Sequence, residues 1–366
     1  MGFLMIAAVM AGMSGAAGAA EPADLQRLRA AGIAALEAPA PASGPAAAGW
    51  DLDAMRFNHN ESVRCLRSGD PFEIPAYLFA TPPLERPGTI TVIGGTSTGY
   101  PADLGKCVNT SKFRAAVRLT DRQQALYRMP SGSGTMVYAN VRHLDRFYVA
   151  AIPVSAISEL YYQVVYYPMP LVGARGGHAQ VRALFSRPVR LTPQFPPDPA
   201  GAMEVSSLIF SVQAVGTSAG GNFDPFLTID GSMLLGLGVY TDQAKLVDQY
   251  VEMNGRETRQ YRLRLSAEQR QRYARAYLED ADSRRLSTYF ILTNNNCNTS
   301  QFRILDGILK AAYTPAQSEA LARANSYDPD FALAALKARG LASEADRVIN
   351  FEKEEASITF LRNYNR

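Results

Sequence analysis

Cysteine, histidine and tryptophan are all rare in this sequence. Its 366 residues include three cysteines, three histidines and one tryptophan. The histidines are scattered, with no H-E-x-x-H run and no paired cysteine spacing, which argues against a zinc site. Glycine motifs of the phosphate-binding and dinucleotide-binding kinds are also lacking. We therefore expect neither a bound metal nor a cofactor.

The chain also lacks a strong excess of charge of one sign. Lys and Arg together number 37 against 34 Asp and Glu, a formal net charge of +3. This excess is spread along the chain and forms no basic stripe, so nucleic acid is not an expected partner. Anionic lipid headgroups and cell-wall polymers are compatible with it. Hydrophobic residues at 47% and charged residues at 19% are typical of an ordinary globular protein.

Residues 1–19 contain no charged side chain. An apolar run leads to Ala17-Gly18-Ala19, which fits the A-x-A cleavage site of a secretory signal. The run is shorter than the roughly 20 residues that a membrane-spanning helix needs. No Lys or Arg precedes it, so an uncleaved membrane anchor is the alternative. We predict export, with the mature chain in the periplasm or cell envelope.

Export would place the three cysteines in an oxidising compartment, where cysteines tend to pair. Cys65 and Cys107 lie 42 residues apart in a loop-rich region, and we predict a disulfide between them. Cys297 then remains as the odd thiol. In an exported protein an odd thiol points to intermolecular pairing or to reactivity.

Composition and hydrophobic periodicity divide the chain into five segments. We predict a signal peptide over 1–19, an Ala/Pro-rich linker over 20–49, a β-rich region over 50–153, a more strongly patterned domain over 154–315 and helices over 316–366. Strands are indicated near 135–141, 147–152, 160–167, 177–185, 208–215, 261–265 and 286–293. Capping boxes that begin at Thr120 and Ser266 predict two helices, and helical spacing of apolar residues from Thr299 predicts a third.

Cys297 lies in the run Asn-Asn-Asn-Cys-Asn-Thr, between a predicted strand and the first turn of a helix. Backbone N–H groups at a helix start lack intrahelical partners, and the helix dipole favours negative charge there. Both effects stabilise a thiolate, so the position suits a nucleophile of low pKa. The same N–H groups would hold an oxyanion after attack on a carbonyl. The alternative is a buried structural cysteine beside an Asn cap.

His178 lies on the polar face of a predicted strand. Along this strand Ala179, Val181, Ala183 and Phe185 alternate with His178, Gln180, Arg182 and Leu184. With the apolar face turned to the core, the imidazole faces a groove, and we expect it to contact Cys297 as its base. A solvated or merely hydrogen-bonded histidine is the alternative. His59 and His143 lie in polar segments and are expected at the surface.

A thiol–imidazole pair usually needs a third group that orients the imidazole. The strand after the Pro-rich loop at 193–199 alternates Leu208, Phe210, Val212 and Ala214 with Ser207, Ile209, Ser211 and Gln213. Ser211 and Gln213 are both placed to face His178, and the sequence does not choose between them.

Two runs, at 95–99 and 216–220, match the G-x-S-x-G pattern of a serine nucleophile. A serine site of that kind needs a following helix and a later histidine. Neither run opens a helix, and no histidine follows Ser218. We interpret both runs as hairpin loops.

These residues resemble the Lnb N-terminal periplasmic domain family, a bacterial group related to lipoprotein N-acyltransferases. Its first motif is similar to Gly177-His178 opening a strand, with Arg182 four residues on. The later elements agree in order: Glu257, Tyr261-Arg-Leu-Arg-Leu-Ser, a Gln/Arg-rich helix, an aromatic strand, and Asn296-Cys297 opening a helix through Leu305-Asp306. The similarity covers roughly residues 155–315.

The resemblance implies an α+β fold with a permuted papain-like core of the NlpC type, similar to the lecithin:retinol acyltransferase group. In that arrangement the His strand precedes the Cys helix, and an antiparallel sheet packs against the Cys-bearing helix. A β-rich subdomain would precede this core, and helices would follow it. The implied site has Cys297 as nucleophile and His178 as base, with Asn296, Arg182 and either Ser211 or Gln213 beside them.

The implied function is that of an exported thiol hydrolase or acyltransferase acting on lipid-derived or lipoprotein acyl groups, with peripheral membrane contact. The aromatic segment 160–171, just before the His strand, would line an acyl groove. A plain core strand is the alternative for that segment. Two other functions stay open: a periplasmic amidase or peptidase acting on cell-wall peptides, and a non-catalytic envelope-binding domain.

Overall fold

The computed structural model describes residues 63–65, 72–73, 89–90, 107–109, 114–129, 134–168, 175–194, 198–216, 233–253, 255, 257–284, 288–290, 295–309 and 331–364. The predicted signal peptide and linker lie outside these ranges, as do His59, Ser97 and Ser218. Within the ranges, no helix combines the length and the apolar character needed to cross a bilayer.

The strands and helices of the described residues are as follows. The strands are β1 (Val63–Cys65), β2 (Phe72–Glu73), β3 (Thr89–Ile90), β4 (Cys107–Asn109), β5 (Val117–Arg118), β6 (Thr135–His143), β7 (Arg146–Pro153), β8 (Ile157–Pro168), β9 (Arg175–Pro193), β10 (Met203–Gly216), β11 (Met233–Tyr240), β12 (Glu257–Arg262), β13 (Thr288–Phe290) and β14 (Arg347–Val348). The helices are α1 (Asp121–Leu126), α2 (Asp242–Leu246), α3 (Ala267–Arg284), α4 (Cys297–Leu309), α5 (Phe331–Ala338) and α6 (Glu355–Tyr364). A π-helical segment (Val247–Glu252) continues α2, and short 3₁₀ turns lie at Val154–Ala156, Glu344–Asp346 and Phe351–Lys353.

Five strands close into a barrel. β6 pairs with β7, β7 with β9, β9 with β10 and β10 with β11, and β11 returns to β6. The β11–β6 pairing is parallel and the other four are antiparallel. The structure is therefore mixed helix and sheet, and its sheet is not purely antiparallel; the papain-like core stays a prediction.

The strand β9 is long enough to serve both the barrel and a lateral sheet. Its first part, Arg175 to Phe185, pairs with β8, and its last residues pair with β7. On its other edge β9 pairs with β10, with a register shift between Val205 and Ser207 of β10. Beyond β8 the sheet continues through β12 to β14. His178 lies in the first part of β9, at the junction of barrel and lateral sheet.

The strand pairings cross two of the predicted segment boundaries. β6 and β7 belong to the same sheet as β9, β10 and β11, so the predicted division between residues 153 and 154 does not separate two domains. The segment 316–366 was expected to be helical but also supplies β14, which pairs with β12. Local patterns predict strands but not their distant partners, so boundaries drawn from the sequence need not follow the sheet.

Separate groups of helices cover the two faces of the lateral sheet. On one face the predicted apolar side chains of β9, among them Ala179 and Val181, pack in the main core. Helices α3 and α4 supply Tyr273 and Phe302 to that core. On the other face a smaller cluster contains Ile209 of β10 with Tyr240, Ala244, Leu246 and Phe351. Burial of each large apolar side chain contributes about 1.5–3 kcal/mol relative to exposure.

Both predicted capping boxes are confirmed. The Gln123 N–H donates to Thr120 Oγ1 at 3.3 Å, and the Thr120 N–H donates to Gln123 Oε1 at 2.9 Å. At the start of α3 the equivalent bonds between Ser266 and Gln269 are 3.2 and 2.8 Å long. Each cap satisfies N–H groups that the helix leaves unpaired, and typically contributes about 1 kcal/mol.

The backbone register of β1 and β4 bears on the predicted disulfide. These strands are antiparallel, and Cys65 lies directly opposite Cys107. Facing residues on antiparallel strands have Cα atoms about 4.5–5.5 Å apart, within the range that a disulfide spans. No disulfide is formed among the residues that the structure describes, and the bridge stays a prediction.

We expect thiol counting on denatured, non-reduced protein from an oxidising compartment to find one free thiol. The bridge would close a loop of 42 residues, which by chain entropy contributes about 4 kcal/mol. The Cys297→Ser variant serves as the control and should show no free thiol. Three free thiols in the parent chain would contradict the pairing.

Candidate active site

The amino-terminal end of α4 is built around the side chain of Asn296. Its Oδ1 accepts hydrogen bonds from the N–H groups of Asn298 and Thr299, both at 2.8 Å. The Asn296 N–H donates in return to Thr299 Oγ1 at 2.9 Å. Asn296 is therefore the cap of the helix. Two of the N–H groups expected to hold an oxyanion are already occupied by this cap.

The thiol of Cys297 lies beside the backbone of β9. Cys297 is the first residue of α4 and is partly exposed. Its Sγ accepts a hydrogen bond from the Ala179 N–H at 3.5 Å. Ala179 directly follows His178, so the nucleophile predicted from one helix start reaches the strand that carries the predicted base. Within the described residues, no hydrogen bond joins the sulfur to the imidazole.

The imidazole of His178 is held by two side chains of β10. His178 Nε2 lies 2.7 Å from Ser211 Oγ and 3.4 Å from Gln213 Nε2. Gln213 Nε2 also donates to Ser211 Oγ at 2.5 Å. The sequence left Ser211 and Gln213 as alternatives, and the structure brings both of them to the ring.

Arg182 belongs to an ion-pair cluster on the polar face of the sheet. Its guanidinium binds Asp242 through Nε and Nη2, at 3.1 and 2.5 Å, and Glu354 through Nη1 at 2.7 Å. Ser207 Oγ also donates to Asp242, at 2.6 Å. This ion-pair cluster ties β9 and β10 to α2 and to the segment before α6. The arrangement places Arg182 in the framework of the polar face.

His143 is not the surface residue that its polar neighbourhood predicted. The residue is half-buried, and its Nδ1 lies 3.0 Å from Thr241 Oγ1. Its ring meets that of Tyr148 edge-on, with centroids 5.6 Å apart. Pairing of β6 with β11 brings its end to Thr241, a contact that the local sequence does not reveal. Burial lowers the pKa of this imidazole.

The thiol and the imidazole are both held in their neutral forms. Burial raises the pKa of Cys297 above its ordinary value, although nearby N–H groups, including that of Ala179, and the Lys245 ammonium oppose the rise. Burial lowers the pKa of His178 well below its ordinary value, and Lys245 lowers it further. The thiolate of low pKa that the helix start predicted is thus corrected. Burial outweighs the favourable N–H groups because it disfavours every charged form.

Lys245 is a site residue that the sequence analysis missed. It is only 3% exposed, and its Nζ lies 4.3 Å from the centre of the Tyr240 ring. Burial lowers its pKa to about 8, against the opposing effect of Asp248. Its helix, α2, is capped by Thr241, whose Oγ1 accepts a hydrogen bond from the Ala244 N–H. The Thr-Asp pair at 241–242, a capping signal like that at 120–121, would have predicted this helix.

A cavity of about 170 Å³ opens on the face of the sheet that Ala179 shares, opposite the face of His178. It is lined by Val164, Tyr166, Arg259, Tyr261, Leu333, Glu344 and Arg347. Val164 is the cross-strand neighbour of Ala179, which contacts the thiol. An apolar cavity of about 150 Å³ is large enough for benzene. By volume this cavity has room for a ring-sized group but not for a long chain, and Arg259, Glu344 and Arg347 make part of its lining charged.

The predicted acyl-lining segment behaves chiefly as a core strand in its described part. Tyr162 is fully buried and donates a hydrogen bond to Asn298 Oδ1, which ties β8 to the first turn of α4. Tyr166 is 3% exposed and forms one wall of the cavity. Leu171, at the end of that segment, lies outside the described residues.

Comparison of the chain with protein-family models, with curated proteins and with solved structures gives no match in any of the three. Across the described ranges, no three His, Cys, Asp or Glu side chains come together as ligands of a metal ion. The assignment of a reaction therefore depends on the site's own geometry and on the motifs of the sequence.

The protonation states predict how Cys297 reacts with iodoacetamide. Only the thiolate reacts, so the alkylation rate should rise with pH through a pKa above the ordinary thiol value of about 8.5. At pH 7 the Lys245→Met variant should react more slowly, because the lost ammonium favoured the thiolate. The rate is measured by mass spectrometry of the peptide that contains Cys297.

Lys337→Met provides the matched control, because Lys337 is exposed and pairs with Glu344 rather than with Cys297 or His178. Its alkylation rate should equal that of the parent chain. An inflection near pH 5 or 6 in the parent would indicate a thiolate–imidazolium pair and would contradict the neutral state.

Proposed function

We propose that the protein is an exported thiol enzyme of the bacterial envelope, in which Cys297 attacks an acyl carbonyl and His178 is the base. The observation that carries this proposal is the position of the thiol. It is partly exposed at a helix start, it contacts the N–H group of Ala179, and the neighbouring imidazole is held by Ser211 and Gln213. A purely structural cysteine would need none of these contacts.

The proposed reaction starts from the neutral pair. As the Cys297 sulfur bonds to the carbonyl carbon, its proton moves to the imidazole of His178, and the carbonyl π electrons move to oxygen. Collapse of this intermediate expels the leaving group, which takes the proton from the imidazolium. Water or an amine then attacks the thioester with the same base, which gives hydrolysis or transfer and restores the thiol. The Lys245 ammonium lies close enough to influence the pKa of the thiol, and would stabilise developing negative charge in the transition state.

The proposed substrate is an acyl group from a lipid or a lipoprotein. The resemblance of the motifs around His178 and Cys297 to the Lnb N-terminal periplasmic domain family supports it.

A second candidate is an amidase or peptidase acting on cell-wall peptides. The charged side chains of the cavity beside Val164 favour a peptide as a ligand of the protein, because Arg259, Arg347 and Glu344 together suit a group that carries both a carboxylate and an amine. The chemistry at Cys297 would be the same. Only the acyl group and the leaving group would differ.

The deciding experiment incubates the purified protein with separate pools of phospholipid, lipopeptide and muropeptide, each beside the Cys297→Ala variant. We expect cysteine-dependent acyl release or transfer from the lipid or lipopeptide pool, with a thioester on Cys297 detected by mass spectrometry. Release from muropeptides alone would establish the second candidate and overturn the first. If no pool yields a thioester on the parent chain, a non-catalytic envelope-binding role replaces both.

A further inference from the structure

A row of buried polar side chains, three amides and one hydroxyl, runs across four neighbouring strands behind His178. Ser211, Gln180, Gln163 and Gln260 face one another in register on β10, β9, β8 and β12. All four are fully buried. Gln260 is linked to Gln163 at 2.7 Å, Gln163 to Gln180 at 2.6 Å, and Gln180 to Ser211 at 3.3 Å. We call these four residues the glutamine ladder.

The hydrogen bonds of Gln260, at the far end of the glutamine ladder, fix which groups along the ladder donate and which accept. Gln260 Nε2 donates to the Ile349 carbonyl at 2.8 Å and to Glu354 Oε1 at 2.9 Å. A carbonyl and a carboxylate only accept, so Gln260 must present its NH₂ group there and its Oε1 towards Gln163. Arg182 Nη1, a donor only, lies 3.3 Å from the same Oε1 and fixes the same orientation.

The direction set at Gln260 passes along the ladder one amide at a time. Gln163 donates to Gln260, so its Oε1 faces Gln180 and accepts from that residue's NH₂ group. Gln180 therefore presents Oε1 to Ser211, and Gln249 Nε2 donates to the same oxygen at 3.0 Å. Facing an acceptor, the Ser211 hydroxyl gives its one proton to Gln180.

The last step of the ladder reaches the imidazole. With its proton committed to Gln180, Ser211 Oγ has two lone pairs left, and two nitrogen atoms lie within hydrogen-bond distance. These are Gln213 Nε2 at 2.5 Å and His178 Nε2 at 2.7 Å. Both donate to one oxygen, which explains why the two nitrogen atoms also lie 3.4 Å from each other. His178 Nε2 then carries the ring proton.

We propose that the glutamine ladder, anchored at Glu354, fixes His178 as the Nε2–H tautomer and keeps Nδ1 free as the base for Cys297. Nδ1 is the ring nitrogen nearer the histidine's own backbone, and the thiol contacts the N–H group of the next residue, Ala179. Gln180, Gln163 and Gln260 are positioning residues, because they act through Ser211. This inference rests on the proposed function for the role of Nδ1, but the tautomer itself can be observed without any substrate.

Serine proteases show how strongly the histidine tautomer affects the catalytic rate. There, a substitution that leaves the geometry intact but selects the wrong histidine tautomer lowers kcat by roughly 10⁴-fold. In the proposed site, an imidazole with its proton on Nδ1 would have no lone pair on that nitrogen to accept the proton of Cys297. A wrong tautomer would therefore remove the base while leaving the fold unchanged.

The test is a ¹⁵N–¹H correlation spectrum of the full chain labelled in histidine, recorded near pH 7.5, where His178 is neutral. The chain has three histidines, and loss of one set of signals in His178→Gln assigns the residue. We expect a protonated Nε2 and an unprotonated Nδ1. In Gln180→Met the acceptor for Ser211 is lost, and a substantial fraction of the ring should become protonated on Nδ1.

Gln194→Met is the matched control, since Gln194 is also a buried glutamine but is bonded to Asn140, outside the ladder, and its replacement should preserve the tautomer. Ser211→Ala removes the link at the other end and should give a mixture of tautomers, which keeps the test decisive if Gln180→Met does not fold. Protonation on Nδ1 in the parent chain, or an unchanged tautomer in both Gln180→Met and Ser211→Ala, would overturn the inference. If the tautomer is as expected but no thioester forms from any pool, the proposed function fails while tautomer control stands.

Discussion

Substituting alanine for His178 is expected to slow the labelling of Cys297 by an activated acyl ester about 1,000-fold at pH 7, within the usual range for loss of a general base. The loss is large because burial raises the pKa of the thiol, so little thiolate is present to react unaided. Labelling is followed by mass spectrometry of the intact protein. A decrease of less than tenfold would show that the imidazole is not the base.

His143→Ala is the control for this substitution. His143 is also half-buried and hydrogen-bonded, but its partner is Thr241 and its strand is β6. We expect labelling within twofold of the parent chain. An equal loss in both variants would indicate general destabilisation, and urea unfolding of both proteins distinguishes that case.

The same pair predicts an unusual acid limit for labelling. A base must be unprotonated to act, and burial holds the pKa of His178 well below its ordinary value. As the pH falls, labelling should therefore persist through pH 6.5, the ordinary imidazole value. It should decline only when the pH passes through the lowered pKa.

The elements that the sequence predicted well are those whose signals are local. The capping boxes at Thr120 and Ser266 fix helix starts within a few residues. The alternation along β9 separates its core face from the face of His178 because successive side chains on a strand point to opposite sides. The same rule placed Ser211 and Gln213, on β10, next to the imidazole of His178, on β9. A Pro-rich loop separates these two strands along the chain.

The elements that the sequence analysis missed depend on distant partners. β11 contains Gly238, and glycine weakens a strand pattern. Gly238 is required because a Cβ at that position would collide with the Tyr240 ring, which is itself buried. The parallel pairing of β11 with β6 then closes the barrel. Neither the ring's position nor the closure is visible in a window of ten residues.

The chemistry of the site divides in the same way. A helix start at Cys297 was predictable, but the direction of its pKa shift was not, because burial depends on what packs around the thiol. The glutamine ladder was also not predictable from the sequence. Gln163 and Gln260 stand among strand-forming residues as isolated polar side chains, and only the register of β8 and β12 shows that they meet.

Replacing Asp306 with alanine is expected to lower the free energy of unfolding by about 3–5 kcal/mol, the cost of leaving a buried charge without its partner. Asp306 accepts from Arg339 Nε at 2.7 Å and Nη2 at 3.1 Å, and the two side chains are 4% and 0% exposed. Arg339 also donates to the Ala335 carbonyl and stacks over Phe302, so it joins α4 to α5.

The exposed pair of Lys337 and Glu344 measures how much of that loss is due to burial. Their side chains are 46% and 64% exposed, and Lys337→Met should cost less than about 1 kcal/mol. Urea unfolding supplies both values. In the Asp306→Leu/Arg339→Leu double variant neither charge of this ion pair remains. Its loss of unfolding free energy should therefore be smaller than the sum of the losses in Asp306→Leu and Arg339→Leu. If Asp306→Ala costs no more than Lys337→Met, the ion pair does not hold α4 in place, and the position of Cys297 must depend on the Asn296 cap and the Tyr162 contact instead.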